Sequence, residues 1–383
     1  MPFVILNVVA IANLLLLFVL LLVIKPRTKA NRLLAAIVPD PIFSMILIVA
    51  IYYQKAAAYP VLFYISYLYD ILWAPLFYYY IHLMLHKELK FSVKSVKHFA
   101  LFIFGVIYFT VFALQPEAYR TRVFEQAMTD NYPWQFYLID YLTIAQVAIY
   151  LPLIYNIVKK HNRHIEQVFS NTDQISAKWV EEFIVFAFFL CAIIYFPSFI
   201  NAESIQLFLF FVPLACMLLY CYFIYKAISS PLVFSEKTLQ IIDQTSNVIP
   251  NNIDESNDLP EESSPELGLL LESLFVEDKL FLDPELNLQA LAEKCNTRVH
   301  ILSAFINKQY HKNFFDYVNY YRVEEAKHLL TDPGQQKYSI DALAKISGFS
   351  SRSVFYAAFK KNTGTTPGGF LKTIQTTPSE FSE

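Results

Sequence analysis

The sequence predicts an all-helical chain in two parts: a polytopic apolar bundle, then a compact module of two helix-turn-helix units. Three observations carry this. Apolar residues make up 56% of the 383 residues and charged residues 16%, with a mean hydropathy of +0.38. Soluble domains run about 45–50% apolar and about 25% charged. Second, apolar runs of about 20 residues, enough to cross a bilayer, recur about seven times in the first 234 residues. Third, charge is partitioned. Residues 1–234 hold 16 Lys and Arg against 12 acids, 235–286 hold 13 acids against two lysines, and 287–372 hold 12 Lys and Arg against six acids. The whole-chain charge of −3 conceals this split. The expected regions are a membrane block at 1–234, an acidic flexible linker at 235–265, an amphipathic helix at 266–286, the double module at 287–372 and a tail at 373–383.

The apolar runs fall near 2–24, 33–54, 61–86, 99–114, 134–158, 179–200 and 205–228. The first has neither a basic n-region nor a small-residue cleavage site, so it reads as a span and not as a leader. Loop charge then sets orientation. One set of alternate loops carries Lys25, Arg27, Lys29, Arg32, Lys87, Lys90, Lys94, Lys97, Lys159, Lys160, Arg163 and Lys178; the other carries Lys55, Arg120 and Arg122. Basic loops stay cytoplasmic. The expectation is a multi-pass membrane protein, N-terminus outside and everything after residue 229 in the cytoplasm. The largest outer loop, 115–133, is too small for a soluble sensor domain.

Ionisable and polar residues inside spans are costly and need a reason. Asp40 lies between Pro39 and Pro41, which must bend or break its span. Asp70 and Asp140 lie mid-span, with Gln146 further along. These four are the candidates for intramembrane sensing; interhelical hydrogen bonding is the alternative. The four cysteines are scattered and form neither a disulfide framework nor a metal pattern. With no Gly-rich phosphate loop, HExxH or nucleophile elbow, the chain is expected to be no enzyme and to need no cofactor or metal.

Residues 244–265 are polar, acidic and Pro-containing, and are expected to be extended or disordered. Ser264 then reads as an N-cap with Pro265 at the first helical position. Leu267, Leu270, Leu271, Leu274 and Phe275 share one face of the helix that follows.

From Asn287 the pattern changes to short amphipathic helices. Leu288, Leu291, Ala292 and Cys295 share a face. After a break at Asn296-Thr297, Ile301, Leu302, Phe305 and Ile306 point inward from a second helix. Phe314, Tyr317, Val318 and Tyr321 begin a longer helix that Asp332-Pro333-Gly334 ends. The theme then repeats. Ser339 caps a helix, Gly348 makes the turn, and Phe355 and Phe359 anchor the next helix. Two such units on one connector suit adjacent major grooves about 34 Å apart on double-stranded DNA.

The stretch Leu288-Gln-Ala-Leu-Ala-Glu-Lys, the run beginning Asn313-Phe-Phe-Asp-Tyr-Val, Gly348-Phe-Ser-Ser, and Phe359-Lys-Lys-Asn-Thr-Gly-Thr-Thr-Pro resemble the DNA-binding domain of the AraC family of transcription regulators, over roughly 287–372. Trp73-Ala-Pro-Leu-Phe-Tyr-Tyr-Tyr resembles membrane-anchored members. The resemblance implies base-facing candidates Arg298, His300 and Ser303 in the first unit and Ser351, Arg352 and Ser353 in the second. Lys308, Lys312, Lys360 and Lys361 are the phosphate candidates. Ala304 and Ala357 stand where members often carry a long polar residue; an alanine can touch a thymine methyl but cannot bridge a purine edge. The expected function is a membrane-embedded one-component transcription regulator. Its partners would be duplex DNA, the lipid bilayer, a second copy in a homodimer, and a small-molecule or membrane-derived signal. The alternative is a transporter-like or partner-binding membrane protein whose helix-turn-helix module does not read DNA.

Overall fold

The computed structural model describes residues 2–23, 29–53, 55, 59–85, 93–127, 134–173, 175–195, 217–222, 225–226, 241, 245, 264–335 and 337–376. Among them the secondary structure is helical, with one isolated antiparallel bridge between Phe169 and Asn287 and no strand. The chain divides into two compact units: Met1–Lys159 with Ala177–Phe234, and Lys160–Ser176 with Ser235–Glu383.

The first unit contains α1 (Pro2–Val23), α2 (Lys29–Ile37), α3 (Pro39–Tyr52), α4 (Pro60–Leu85), α5 (Ala100–Ala113), α6 (Glu117–Ala127), most of α7 (Trp134–Val168) and α8 (Lys178–Tyr195). Four described helical stretches are long and apolar enough to cross a membrane: Val4–Val23, Arg32–Ala50, Ser95–Ala113 and Phe136–Val168. The expected run at 61–86 coincides with α4, and the run at 179–200 begins in α8. The run at 205–228 lies mainly outside the described residues. As the proline pair requires, the second stretch breaks at Val38, and Pro39 opens α3 at a position where a missing N–H costs nothing. The segment 115–133, expected to lie outside, holds α6, which starts after Pro116 with Glu117 in its first turn, where a negative charge suits the helix dipole. α7 continues ten residues beyond the expected end of its span, at 158, into a polar stretch.

Two clusters hold this unit together. Leu14, Leu34, Phe77, Ile81, Met84, Ile154, Val158 and Phe183 are buried in the larger one. Tyr64, Ile71, Phe109, Phe112, Phe136 and Ile139 form the smaller one, from α4, α5 and α7. Gly105 fits because Ile71 Cδ1 lies 2.9 Å from where its Cβ would stand. Many large apolar side chains nevertheless point outward, among them Leu16, Ile107, Ile149, Phe188 and Phe189. A contiguous apolar exterior is unfavourable in water and suited to a lipid or protein environment.

The second unit contains α9 (Ser264–Glu272), which passes into a π turn at Ser273–Glu277, then α10 (Leu288–Lys294), α11 (Val299–Tyr310), α12 (Phe314–Thr331), α13 (Ile340–Ile346), α14 (Arg352–Thr363) and α15 (Pro367–Thr376). The expected amphipathic helix at 266–286 is thus α9 with its π turn and a short 3-10 turn at Leu280–Leu282. The expected linker lies outside the described residues, except Ile241 and Thr245, which are helical, and Ser264 and Pro265, which open α9.

Candidate nucleic-acid interface

Four helices of the second unit, α10, α12, α13 and α14, begin on a side-chain cap, whereas Arg298 at the start of α11 makes none. Asn287 Oδ1 accepts from Ala290 N at 3.0 Å and Asn313 Oδ1 from Asp316 N at 2.7 Å. Ser339 Oγ and Ser351 Oγ accept from Ala342 N and Val354 N. Each bond satisfies one of the donors a helix start leaves open. The turns need left-handed backbone. Asn296 and His311 take it at φ 48° and 53°, Gly348 and Gly364 at 87° and 76°. Gly348 has a second constraint, because a Cβ there would stand 2.7 Å from Phe281 O.

These turns set two helix pairs, α10 with α11 and α13 with α14, on either side of the connector α12. Phe314, Tyr317 and Val318 of the connector pack into a cluster with Phe275, Phe281, Leu288, Leu291, Leu302, Phe305 and Ile306. Val323, Ala326 and Leu330 pack into another with Leu343, Phe349, Phe355 and Phe359. One helix therefore supports both pairs.

Arg322 lies where the two clusters meet. It is 1% exposed, and no carboxylate accepts a hydrogen bond from it among the described residues. Its Nε donates to Phe281 O at 2.7 Å and its Nη2 to Asp283 O at 2.7 Å. Nη1 donates to Ser170 O at 2.9 Å and Nη2 to Ser170 Oγ at 3.0 Å. The guanidinium also stands 5.9 Å from the centre of the Phe349 ring. Burial lowers its pKa to about 10, partly offset by the charge of Asp283, and it remains protonated at neutral pH. A buried cation requires this full set of acceptors.

Most of the base-facing candidates sit at the two helix starts. Arg298 occupies the N-cap position of α11 and is exposed, while His300 is half-buried. Ser303 departs from the expectation: it is 7% exposed. With Val299, Leu302, Ile306 and Tyr310 it falls at the i, i+3, i+4, i+7 and i+11 positions of the inward face. In the second unit Ser351 is engaged as the cap of α14. Arg352 is exposed, with Nη1 3.1 Å from Asp341 Oδ2 and its guanidinium 5.1 Å from the Tyr356 ring centre. Ser353 is exposed, and its Oγ donates to Asp173 Oδ2 at 2.9 Å.

Lys308 and Lys360 of the phosphate candidates are exposed. Lys312 Nζ sits 4.6 Å from the Tyr320 ring centre, and Lys361 Nζ pairs with Asp316 at 2.7 Å. Such surface pairs are worth little and exchange readily for a phosphate. A solvent-open groove along the start of α11 is lined by Arg298, Val299, His300 and Thr245.

In the first unit the structure brings the acidic candidates together. The Asp40 and Asp70 carboxyls face each other, Asp140 is near enough to Asp70 to act on it through space, and the Tyr220 hydroxyl donates to Asp40 Oδ2 at 3.5 Å. Gln146 is buried on α7. The described residues hold no group of three or more metal-ligating side chains.

The comparisons with known proteins fall on the second unit. The family described as "Helix-turn-helix domain" matches residues 291–373. The match supports an AraC-type helix-turn-helix domain over this stretch and, at a general level, DNA-binding transcription regulation. A solved structure from Listeria innocua, of a protein of unknown function, is 30% identical over 29% of this chain and 98% of its own, with a TM-score of 0.25. No curated protein matches the chain.

Proposed function

We propose that the chain is a membrane-embedded, one-component transcription regulator. Its apolar unit spans a bacterial inner membrane about seven times, with the N-terminus outside and the helix-turn-helix unit in the cytoplasm. A signal read by the membrane bundle changes how two helix-turn-helix units bind promoter DNA. The helix-turn-helix match at 291–373 carries the reading. The two helix pairs, α10–α11 and α13–α14, fit insertion of α11 and α14 in successive major grooves, with Arg298, His300, Arg352 and Ser353 at the entering ends. Outward-facing apolar side chains on the first unit and the basic loop bias support the bilayer. The Asp40, Asp70 and Asp140 cluster is the proposed sensing centre, since a ligand shifts such a bundle only by binding one of its states better.

The test is the salt dependence of duplex DNA binding by the full-length protein in lipid nanodiscs. A regulator that neutralises several phosphates gives a steep negative slope of log affinity against log salt. A flat slope would favour a partner-binding module, the reading that Ala304 and Ala357 leave open.

A further inference from the structure

The connection between α7 and α8 belongs to the helix-turn-helix unit. Lys160–Ser176 clusters with Ser235–Glu383. Val168 is fully buried in the aromatic cluster around Phe275 and Tyr317. Ser170 is fully buried too; its N–H and its Oγ both donate to Leu286 O, at 3.2 and 2.6 Å, and its O and Oγ are acceptors for Arg322. Three residues further on, Asp173 Oδ2 accepts a hydrogen bond from the Ser353 hydroxyl on α14. The contacting residues are 116 to 180 positions apart in sequence. Nearby, His164 Nε2 lies 3.1 Å from Thr245 Oγ1, and Thr245 lines the groove at Arg298 and His300.

We propose that this connection is an autoinhibitory tether: Val168 and Ser170 anchor it to the domain, and the Asp173 carboxylate occupies the entering end of α14 in place of DNA. The inference rests on the DNA-binding reading above and names how that site is regulated. The start of α14 is a twelve-residue helix terminus with an exposed hydroxyl and an arginine beside it. Helix N-termini favour anions, so a carboxylate and a DNA phosphate compete there. A DNA phosphate must displace Asp173 to reach Ser353. The tether is continuous with α7 and α8, so a change in those helices repositions Asp173 while Ser170 stays on Arg322. The signal thereby reaches α14 without passing through the linker at 235–265.

The experiment uses the full-length chain in nanodiscs and a random-sequence duplex of about 40 base pairs, long enough for two grooves one turn apart. Asp173→Ala should bind the duplex about 5-fold or more tighter than wild type, and Asp173→Asn should fall between, as expected for an allosteric coupling. Asp278→Ala, which removes an exposed carboxylate elsewhere in the unit, should change affinity less than 2-fold. A second variant pairs Asp173→Cys with Ser353→Cys. Its oxidised form should bind at least about 5-fold more weakly than its reduced form, with recovery on adding reductant. The inference is overturned if the disulfide does not form, if oxidised and reduced forms bind alike, or if Asp173→Ala gains no more than Asp278→Ala. Failure of wild type, Asp173→Ala and the reduced pair alike to bind duplex at any salt would overturn the DNA-binding reading itself, and the tether with it. Binding that ignores Asp173 overturns the tether alone.

Discussion

The two helix pairs of the second unit repeat one plan with different physical means. The first pair is embedded. Its cluster draws on α9, the turn at 280–282, the connector and Val168 from the distant tether. Its inward face is wide enough to take Ser303, and its second helix ends on a histidine in the left-handed region. The second pair is lighter. It packs mainly on the distal half of the connector, its turn and its helix end both use glycine, and its exposed face is held by Asp341, Asp316 and Asp173 through side-chain contacts. A pair held by surface contacts can be rearranged at small cost; one sharing a core with four other segments cannot. Control is therefore expected to act at the second pair and stability to reside in the first.

Substitutions break or sharpen this contrast. Cys295 is a built-in reporter: it is buried in the first cluster, and burial pushes its thiol up to about 11, so alkylation at neutral pH reports unfolding. In full-length protein with the other three cysteines replaced by serine, the denaturant dependence of Cys295 alkylation reads stability. The largest effect is expected for Arg322→Ala, which strips donors from Phe281 O, Asp283 O and Ser170; with about 1–3 kcal/mol for each buried acceptor left short of a partner, it should cost about 3–5 kcal/mol. A loss below about 1 kcal/mol would show that the two clusters do not depend on it.

Gly348→Ala comes next, at about 2–3 kcal/mol, because left-handed backbone strain adds to the clash with Phe281 O. Gly364→Ala, with open space around it, should cost only about 1 kcal/mol. Equal losses at the two glycines would remove the clash from the account. Ser351→Ala should cost about 1 kcal/mol through the lost cap of α14. This variant is best read by hydrogen exchange in α14, with α11 unchanged; slowed or unaltered exchange in α14 would contradict it. The smallest effect has the opposite sign. His311→Gly should stabilise by up to about 1 kcal/mol, since glycine meets no steric penalty at φ 53°. Destabilisation there would mean that the histidine makes contacts outweighing its backbone strain.

Local chemistry made much of the fold legible. Ser339 and the turn at Gly348 announce themselves within a few residues, because capping and left-handed backbone are short-range requirements. The Pro39–Pro41 break is of the same kind. The resemblance implies a base-facing Ser303, whereas its i, i+3, i+4 spacing with Val299 and Ile306 sets it on the buried face of α11. Nothing local marks Arg322 as buried: it stands on a helix that also carries Asp316, Glu324, Glu325 and Lys327. Its reason lies in Ser170, 152 residues earlier, and no local pattern encodes a contact at that separation. Asp173 is in the same position: in the sequence it is one acid in a polar loop, and only the fold brings it to Ser353.

Genome-wide DNA occupancy of the tagged full-length protein in its own cells tests the central claim most directly. The account predicts discrete peaks carrying paired half-sites about one helical turn apart. An absence of enrichment across several growth conditions would contradict it.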